Sequence, residues 1–143
     1  MKIIRVSLIT LTSLIAMNSM SSAHANLLAL KWNEQGEFRH QGQIKAGGIL
    51  EVCGKLPNGL RIDWDFKSDQ ALEANIHFHL GKKVKLPVKL AAKSEWKDRF
   101  ETKLAQDYCW MWSNRSDQVA EISLSLTQVG SESGVDKAVL IKR

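Results

Sequence analysis

The sequence has few of the residues that would signal an enzyme, a redox protein or a nucleic-acid binder. Its 143 residues include only two cysteines, two prolines and one tyrosine. The cysteines do not form a CxxC pair, so a thioredoxin-like role has no support. The HExxH and GxSxG motifs and a phosphate-cradling glycine loop are all absent, which excludes the commonest catalytic templates. The 20 basic residues against 15 acidic ones are spread along the chain, unlike the clustered footprint of a nucleic-acid binder.

The longest apolar stretch lies at the start of the chain. Lys2 and Arg5 precede an apolar run over residues 9–17, and Ala23-His24-Ala25 fits the small-x-small pattern that ends a secretory signal. We therefore predict a cleaved signal peptide over residues 1–25. An uncleaved membrane anchor is the alternative, but the run is short and broken by Ser and Thr, whereas a span needs about 20 apolar residues. No second run of that length follows, so we expect a periplasmic or secreted protein with no transmembrane segment after cleavage.

The expected mature chain, residues 26–143, is long enough for one domain and too short for two. Losing Lys2 and Arg5 takes the net charge from +5 to +3. Two cysteines in an exported protein favour one disulfide, Cys53–Cys109. Two unpaired buried thiols are the alternative.

Alternating apolar and polar residues begin at Phe38 and predict β-strands rather than helices. The clearest amphipathic strand places Leu60, Ile62, Trp64 and Phe66 on one face. A polar break at 68–70 then separates it from a second alternating strand that ends at Leu80 and continues, after a Gly81 turn, through Val84, Leu86, Val88 and Leu90. A strong turn signal, Leu56-Pro57-Asn58-Gly59, precedes the first of these strands.

Later segments extend the same pattern. Pro87 cannot donate a ladder hydrogen bond, so its strand is expected at a sheet edge or at a bulge. The segment Trp96–Leu104 has a spacing that suits either a helix or a strand, and we favour a strand. A further strand is expected from Val119 and a short edge strand over 135–141. Six to eight strands without a convincing helix predict an all-β fold, an antiparallel β-sandwich or a barrel.

The segment Asp107–Asn114 concentrates aromatic residues in one predicted strand. Its alternation places Tyr108, Trp110 and Trp112 on one face, and Cys109, Met111 and Ser113 on the other. We favour a core position for the aromatics; the alternative is an exposed aromatic surface that binds a ligand or a protein. Cys53 shares its face with Glu51 and Lys55, so the disulfide and Met111 are expected on the outer, polar face.

Residues 45–126 resemble the GOLD (Golgi-dynamics) domain, a β-sandwich with a jelly-roll-like arrangement. The matching segments are Val52-Cys53, Leu56-Pro57-Asn58-Gly59, Arg61–Phe66, Ala74–Gly81, Tyr108-Cys109-Trp110 with Asn114, and Glu121–Leu126. The resemblance implies the fold, pairing of the two cysteines and a binding rather than a catalytic role. The cargo receptors of this family continue into a coiled coil and a membrane span, which this sequence lacks, so no vesicle-trafficking role is expected.

His77 and His79 are the sharpest chemical feature of the sequence. Residues two apart on a strand point the same way, and imidazole is a common ligand for zinc or copper. Met111 and either Asp63 or Asp65 would complete a site if their strands lie alongside, and Met favours copper. The alternatives are two solvated histidines on a polar face or a pH-sensitive contact with a partner. His40 would join only through folding that the sequence does not reveal.

Together these features predict an exported, non-enzymatic binding module with no assigned catalytic residue. The first hypothesis is a periplasmic copper or zinc binder that uses His77 and His79, with Met111. The alternative is a protein- or lipid-interaction module without a metal. The partner is expected to be an envelope protein or a small ligand rather than a nucleic acid.

Overall fold

The computed structural model describes residues 25–130, which form seven strands and no helix. The predicted signal peptide, except for Ala25, and the edge strand expected over 135–141 lie outside this range. The strands are β1 Ala25–Ala29, β2 Glu37–Ile44, β3 Ile49–Leu56, β4 Arg61–Leu80, β5 Lys83–Glu101, β6 Gln106–Ser113 and β7 Ala120–Val129. The all-β prediction is confirmed. Between residues 25 and 130 there is no helix with the length and apolarity needed to cross a membrane.

The long strand β4 connects the two halves of the protein. Its first half pairs with β7 and its second half with β6, while β5 follows it along the other side. The first half of the sheet has the order β2-β7-β4-β5, and the second half has the order β1-β3-β6-β4-β5. All neighbours are antiparallel except β1 and β3, which are parallel. The result is a sheet that is nearly closed into a barrel.

The polar break predicted at 68–70 does not end a strand. β4 continues through it, and the pairing with β5 shifts register between Lys67 and Leu72. The Ser68 hydroxyl accepts a hydrogen bond from the Gln70 amide at 3.3 Å, and the Asp69 carboxylate accepts one from the Glu121 amide at 2.8 Å. These polar side chains therefore bond main-chain groups at the irregularity, and the strand passes from one half of the sheet to the other.

Aromatic side chains join the two halves across the core. The rings of Phe100 and Trp110 are 5.9 Å apart and those of Phe66 and Trp112 are 6.1 Å apart, both in edge-to-face geometry. Tyr108 is 1% exposed, and both Trp110 and Trp112 are fully buried. The core position favoured for these three aromatics is therefore what the fold shows, and the alternative of an exposed aromatic surface is wrong. The cause is the place of β6 between β3 and β4, with one face turned inward.

The disulfide forms on the opposite face of β6. Cys53 and Cys109 are directly paired across β3 and β6, and their sulfur atoms are bonded. The predicted pairing is confirmed. The outer face also receives Met111, which lies opposite Glu51 on β3 and Asn75 on β4.

β5 forms the free edge next to β4. It pairs with no other strand of the described chain, which confirms the edge position expected from Pro87. The strand favoured over Trp96–Leu104 is confirmed as far as Glu101, with Trp96 opposite Phe66. Gly81 makes the turn between β4 and β5 in a left-handed conformation, with a φ of 57°.

Asn114 closes the end of β6 and is fully buried. Its side-chain nitrogen donates to the carbonyl oxygens of Ile44, Lys45 and Gln118 at 3.0, 3.2 and 2.7 Å. Its side-chain oxygen accepts from the amide and the hydroxyl of Ser116 at 3.0 and 2.7 Å. One amide group thus satisfies main-chain groups at the end of β2, in the residue after it and in the loop before β7.

Candidate functional site

His77 and His79 lie on the outer face of β4, beside the disulfide. His77 is directly opposite Cys109 on β6, and the two imidazole rings are 5.5 Å apart. His77 is only 7% exposed although it belongs to an outer face. The alternative of two fully solvated histidines therefore does not describe His77.

Both nitrogens of the His77 ring have a polar neighbour. Nδ1 donates to the Asn75 side-chain oxygen at 2.9 Å, and Nε2 lies 3.5 Å from a carboxylate oxygen of Glu51. Burial lowers the pKa of His77 below its usual value of 6.5; Glu51 opposes this shift and His79 adds to it. The ring is therefore neutral at pH 7, with its lone pair on Nε2 and directed at Glu51. The sequence analysis did not identify Glu51 as a neighbour of His77, although it expected Glu51 on the same outer face as Cys53.

Met111 lies beside the histidines on this outer face, but the two aspartates expected to join them lie in the other half of β4. Asp63 accepts two hydrogen bonds from Arg99, at 2.6 and 3.0 Å, and Asp65 accepts one from Ser125. Both aspartates lie on the first half of β4, which pairs with β7 rather than β6. Within residues 25–130, no three His, Cys, Asp or Glu side chains form a group that is arranged to hold a metal ion. His40 is also remote, since it pairs with Leu124 on β7.

The neutral state of His77 predicts a pH-dependent stability. An unfolded histidine takes up a proton near pH 6.5, whereas His77 in the fold resists protonation until a lower pH. The unfolded chain therefore binds more protons in this window, and the free energy of unfolding falls as the pH drops below about 6.5. Urea titrations of the wild type and His77→Gln across this range test it. The difference between the two proteins should change with pH, and a constant difference contradicts the assignment.

A second exposed feature is the hairpin tip, which we define as residues 80–86 between β4 and β5. Pairing of β4 with β6 ends at Phe78, so the main chain of the tip is paired only within itself in the described part of the chain. Leu80, Val84 and Leu86 are 40%, 48% and 50% exposed. The alternating pattern placed these three side chains on the apolar face of their strands. In the structure Val84 pairs with His79 and therefore lies on the outer face, because the register shifts between Ile76 and Phe78, whereas Leu80 pairs with Lys83 and lies on the opposite face. Three lysines lie among them, at positions 82, 83 and 85.

A shallow polar depression lies on the outer face of the first half of the sheet. It has a volume of about 360 Å³ and is lined mainly by polar side chains, including Gln41, Lys67, Asp69 and Ser123. The Asp69 carboxylate within it is already used by the Glu121 amide. The depression therefore offers little beyond the ordinary polar surface of a sheet.

Comparison with known proteins shows the fold. No family model and no curated protein matches the chain. PliG from Aeromonas hydrophila, a periplasmic inhibitor of g-type lysozyme, is similar with a TM-score of 0.62 and 8% identity, over 76% of this chain and 100% of that chain. PliG from Salmonella Typhimurium gives 0.54 and 9%, over 73% and 98%. The pre-peptidase C-terminal domain of a Bacillus anthracis collagenase gives 0.52 and 12%, over 74% and 97%.

These likenesses show a small all-β fold shared with proteins of very different sequence. They do not confirm the GOLD resemblance. Fold similarity at such identity does not by itself assign a function.

Proposed function

We propose that this protein is an exported, non-enzymatic module that binds a protein partner through the hairpin tip. The observation that carries the proposal is the exposure of Leu80, Val84 and Leu86 on a segment whose main chain no longer pairs with β6. Single exposed apolar residues are common on proteins, but a group of them within one short hairpin is typical of an interaction surface. Burying three such side chains against a partner would supply most of the affinity.

The order of residues at the tip favours a protein over a lipid bilayer. Lys82 and Lys83 lie in the turn next to Gly81, and Val84 and Leu86 follow them along β5. A hairpin that enters a membrane tip-first would bring these ammonium groups to the hydrocarbon before any apolar side chain, which is costly. A protein surface can receive both kinds of side chain at once, because its rim is polar and its centre is apolar.

Two further features support an exported protein that binds another protein. The disulfide between Cys53 and Cys109 is typical of an oxidising compartment, and the predicted signal peptide over residues 1–25 would deliver the chain there. The similar fold of PliG belongs to a periplasmic inhibitor, which supports a protein as the class of partner.

Site-specific photo-crosslinking tests this proposal. A photoreactive amino acid in place of Leu86 should give a discrete adduct in the intact envelope. The matched control is the same amino acid at Val119, which is 47% exposed and directly precedes β7, the strand that pairs with the first half of β4. Adducts of equal yield at both positions, or at neither, would overturn the assignment of the tip.

Metal binding at His77 is a second candidate function, supported by one observation. Because Asn75 accepts from Nδ1, the Nε2 lone pair faces a carboxylate oxygen of Glu51 at 3.5 Å. Two electron-rich atoms at this distance are stabilised by a cation or a proton between them. His79 and Met111 lie on the same face and would extend the ligand set, with Met favouring copper over zinc.

Titration of the mature protein with Cu(I), Cu(II) and Zn(II) tests this candidate. The His77→Ala/His79→Ala variant is expected to lose binding, and His40→Ala, whose histidine lies on β2, is expected to retain it. Equal weak binding by all three proteins would exclude a metal role for His77 and His79.

A further inference from the structure

The hairpin tip and the following part of β5 carry a row of lysines without counter-charges. We define this lysine row as Lys82, Lys83, Lys85, Lys89 and Lys93. All five are exposed, and no acidic residue occurs between Gly81 and Ser94. None of them lies within 4.0 Å of a carboxylate of the described residues. Lys93 instead lies over the Trp96 ring, with its nitrogen 5.2 Å from the centroid.

The residues opposite the row on β4 leave its charge uncompensated. Lys83, Lys85 and Lys89 pair with Leu80, Phe78 and Asn75, none of which is charged. The nearest acidic residue of this part of β4, Glu73, is bound by Arg115 at 3.0 Å. The fold thus concentrates along one edge a positive charge that the linear sequence spreads among apolar residues.

The other end of β5 does not carry this uncompensated positive charge. From Glu95 to Glu101 the strand alternates charge, and Arg99 there is paired with Asp63. The edge strand β2 is similar, with Arg39 bound to Glu37 at 3.2 Å. Neither of these two segments combines unpaired lysines with exposed apolar side chains as the segment at the tip does.

We infer that the lysine row and the hairpin tip form one docking surface around the edge of the sheet, which fits a protein partner that encloses this edge with an apolar centre and an acidic rim. Leu80, Lys83 and Lys85 lie on one face of the edge, and Val84 and Lys89 lie on the other. This inference rests on the proposed protein-binding function and names the chemistry of the partner. Complementary charge steers association and excludes partners of the wrong sign, while the apolar centre supplies affinity. Lysines along the edge also repel a second copy of the same strand, so the surface selects against self-association.

The partner docks through side chains rather than as an added strand. Pro87 lacks an N–H donor, and the pairing of β4 with β5 shifts register between Ile76 and Phe78 and again around Leu72. An added strand needs a regular row of main-chain donors and acceptors, which this stretch of β5 does not offer.

Charge reversal at matched positions tests the inference through the crosslink at Leu86. Lys83→Glu/Lys85→Glu/Lys89→Glu is compared with Lys45→Glu/Lys55→Glu/Lys67→Glu, since all six lysines are exposed and both variants change the net charge equally. The first variant is expected to lower the yield of the adduct by about tenfold or more, and the second to change it little. An unchanged yield in the first variant overturns the inference but leaves the proposed function standing.

Peptides of defined composition test the chemistry of the partner without the crosslink. Peptides of about ten residues that alternate Glu with Leu, Glu with Ser, or Lys with Leu are titrated into the isotope-labelled protein. The Glu–Leu peptide is expected to shift amide resonances of residues 80–93 and to bind more tightly than the Glu–Ser peptide, whereas the Lys–Leu peptide does not bind. Equal binding of both acidic peptides, or shifts elsewhere in the protein, contradicts a combined acidic and apolar docking surface. If the peptides bind as expected but no adduct forms at Leu86, the result supports the docking surface and contradicts the proposed function.

Discussion

Replacing Cys53 and Cys109 by alanine is expected to lower the free energy of unfolding by about 4 kcal/mol. The disulfide links residues 56 positions apart, and the open chain gains the conformational freedom that this loop closure denies it. The two cysteines are paired directly across β3 and β6, so alanines are accommodated without moving either strand. The loss therefore arises mainly in the unfolded state, and the fold itself is retained.

Guanidinium or urea titration of the oxidised wild type and the double-alanine variant measures this loss. Wild-type protein that is reduced with a thiol should match the variant, because both lack the covalent link. A loss below about 1 kcal/mol would mean that the unfolded chain keeps β3 and β6 together without the bond.

Replacing Asn114 by alanine is expected to lower the free energy of unfolding by about 3 kcal/mol. The substitution removes the donor to the carbonyl oxygens of Ile44, Lys45 and Gln118, of which Gln118 keeps the Ser116 hydroxyl at 3.1 Å. The Ser116 amide also loses its acceptor. A buried group that loses its partner costs more than the bond contributed, because water does not reach it.

Two variants separate this role from a simple loss of packing. Asn114→Asp is isosteric but directs a carboxylate oxygen at three carbonyls, so it is expected to destabilise the fold at least as much as Asn114→Ala. Ser116→Ala removes the hydroxyl and keeps the amide contact, and should cost only about 1 kcal/mol. Chemical denaturation measures all three, and an Asn114→Asp protein as stable as the wild type would contradict the assigned bonds.

Alternation alone predicted most of the strands and the inner face. Trp64, Trp110 and Trp112 are buried on the face that the alternation predicted. The disulfide lies on the outer face, which was expected from Glu51 and Lys55. This works because side chains on a strand point alternately to opposite faces, so that one buried position determines its neighbours.

The sequence did not predict which distant strands pair with one another. Ser68, Asp69 and Gln70 resemble a break between strands, yet their side chains support a continuous β4 by bonding main-chain groups. A polar run ends a strand only where its backbone groups turn to solvent, and the sequence does not show which groups find partners.

The candidate sites depend on the same missing information. The pairing of His77 with Cys109 brings Glu51 to the imidazole, whereas Asp63 and Asp65 lie with β7 in the other half. Likewise the alternation of Val84 and Leu86 with lysine and proline indicated one apolar face, but it did not show the register shift between Ile76 and Phe78 that turns Val84 to the outer face.

Binding of the partner that is crosslinked at Leu86 gives the most direct test of the tip as the docking surface. Leu80→Ser/Val84→Ser/Leu86→Ser is compared with Leu27→Ser/Val119→Ser, which removes a leucine of β1 and a valine just before β7 of comparable or greater exposure. The tip variant is expected to lose about 3 kcal/mol of binding free energy, about 100-fold in dissociation constant, and the control variant to bind as the wild type does. Equal dissociation constants for the tip variant and the wild type would contradict the account.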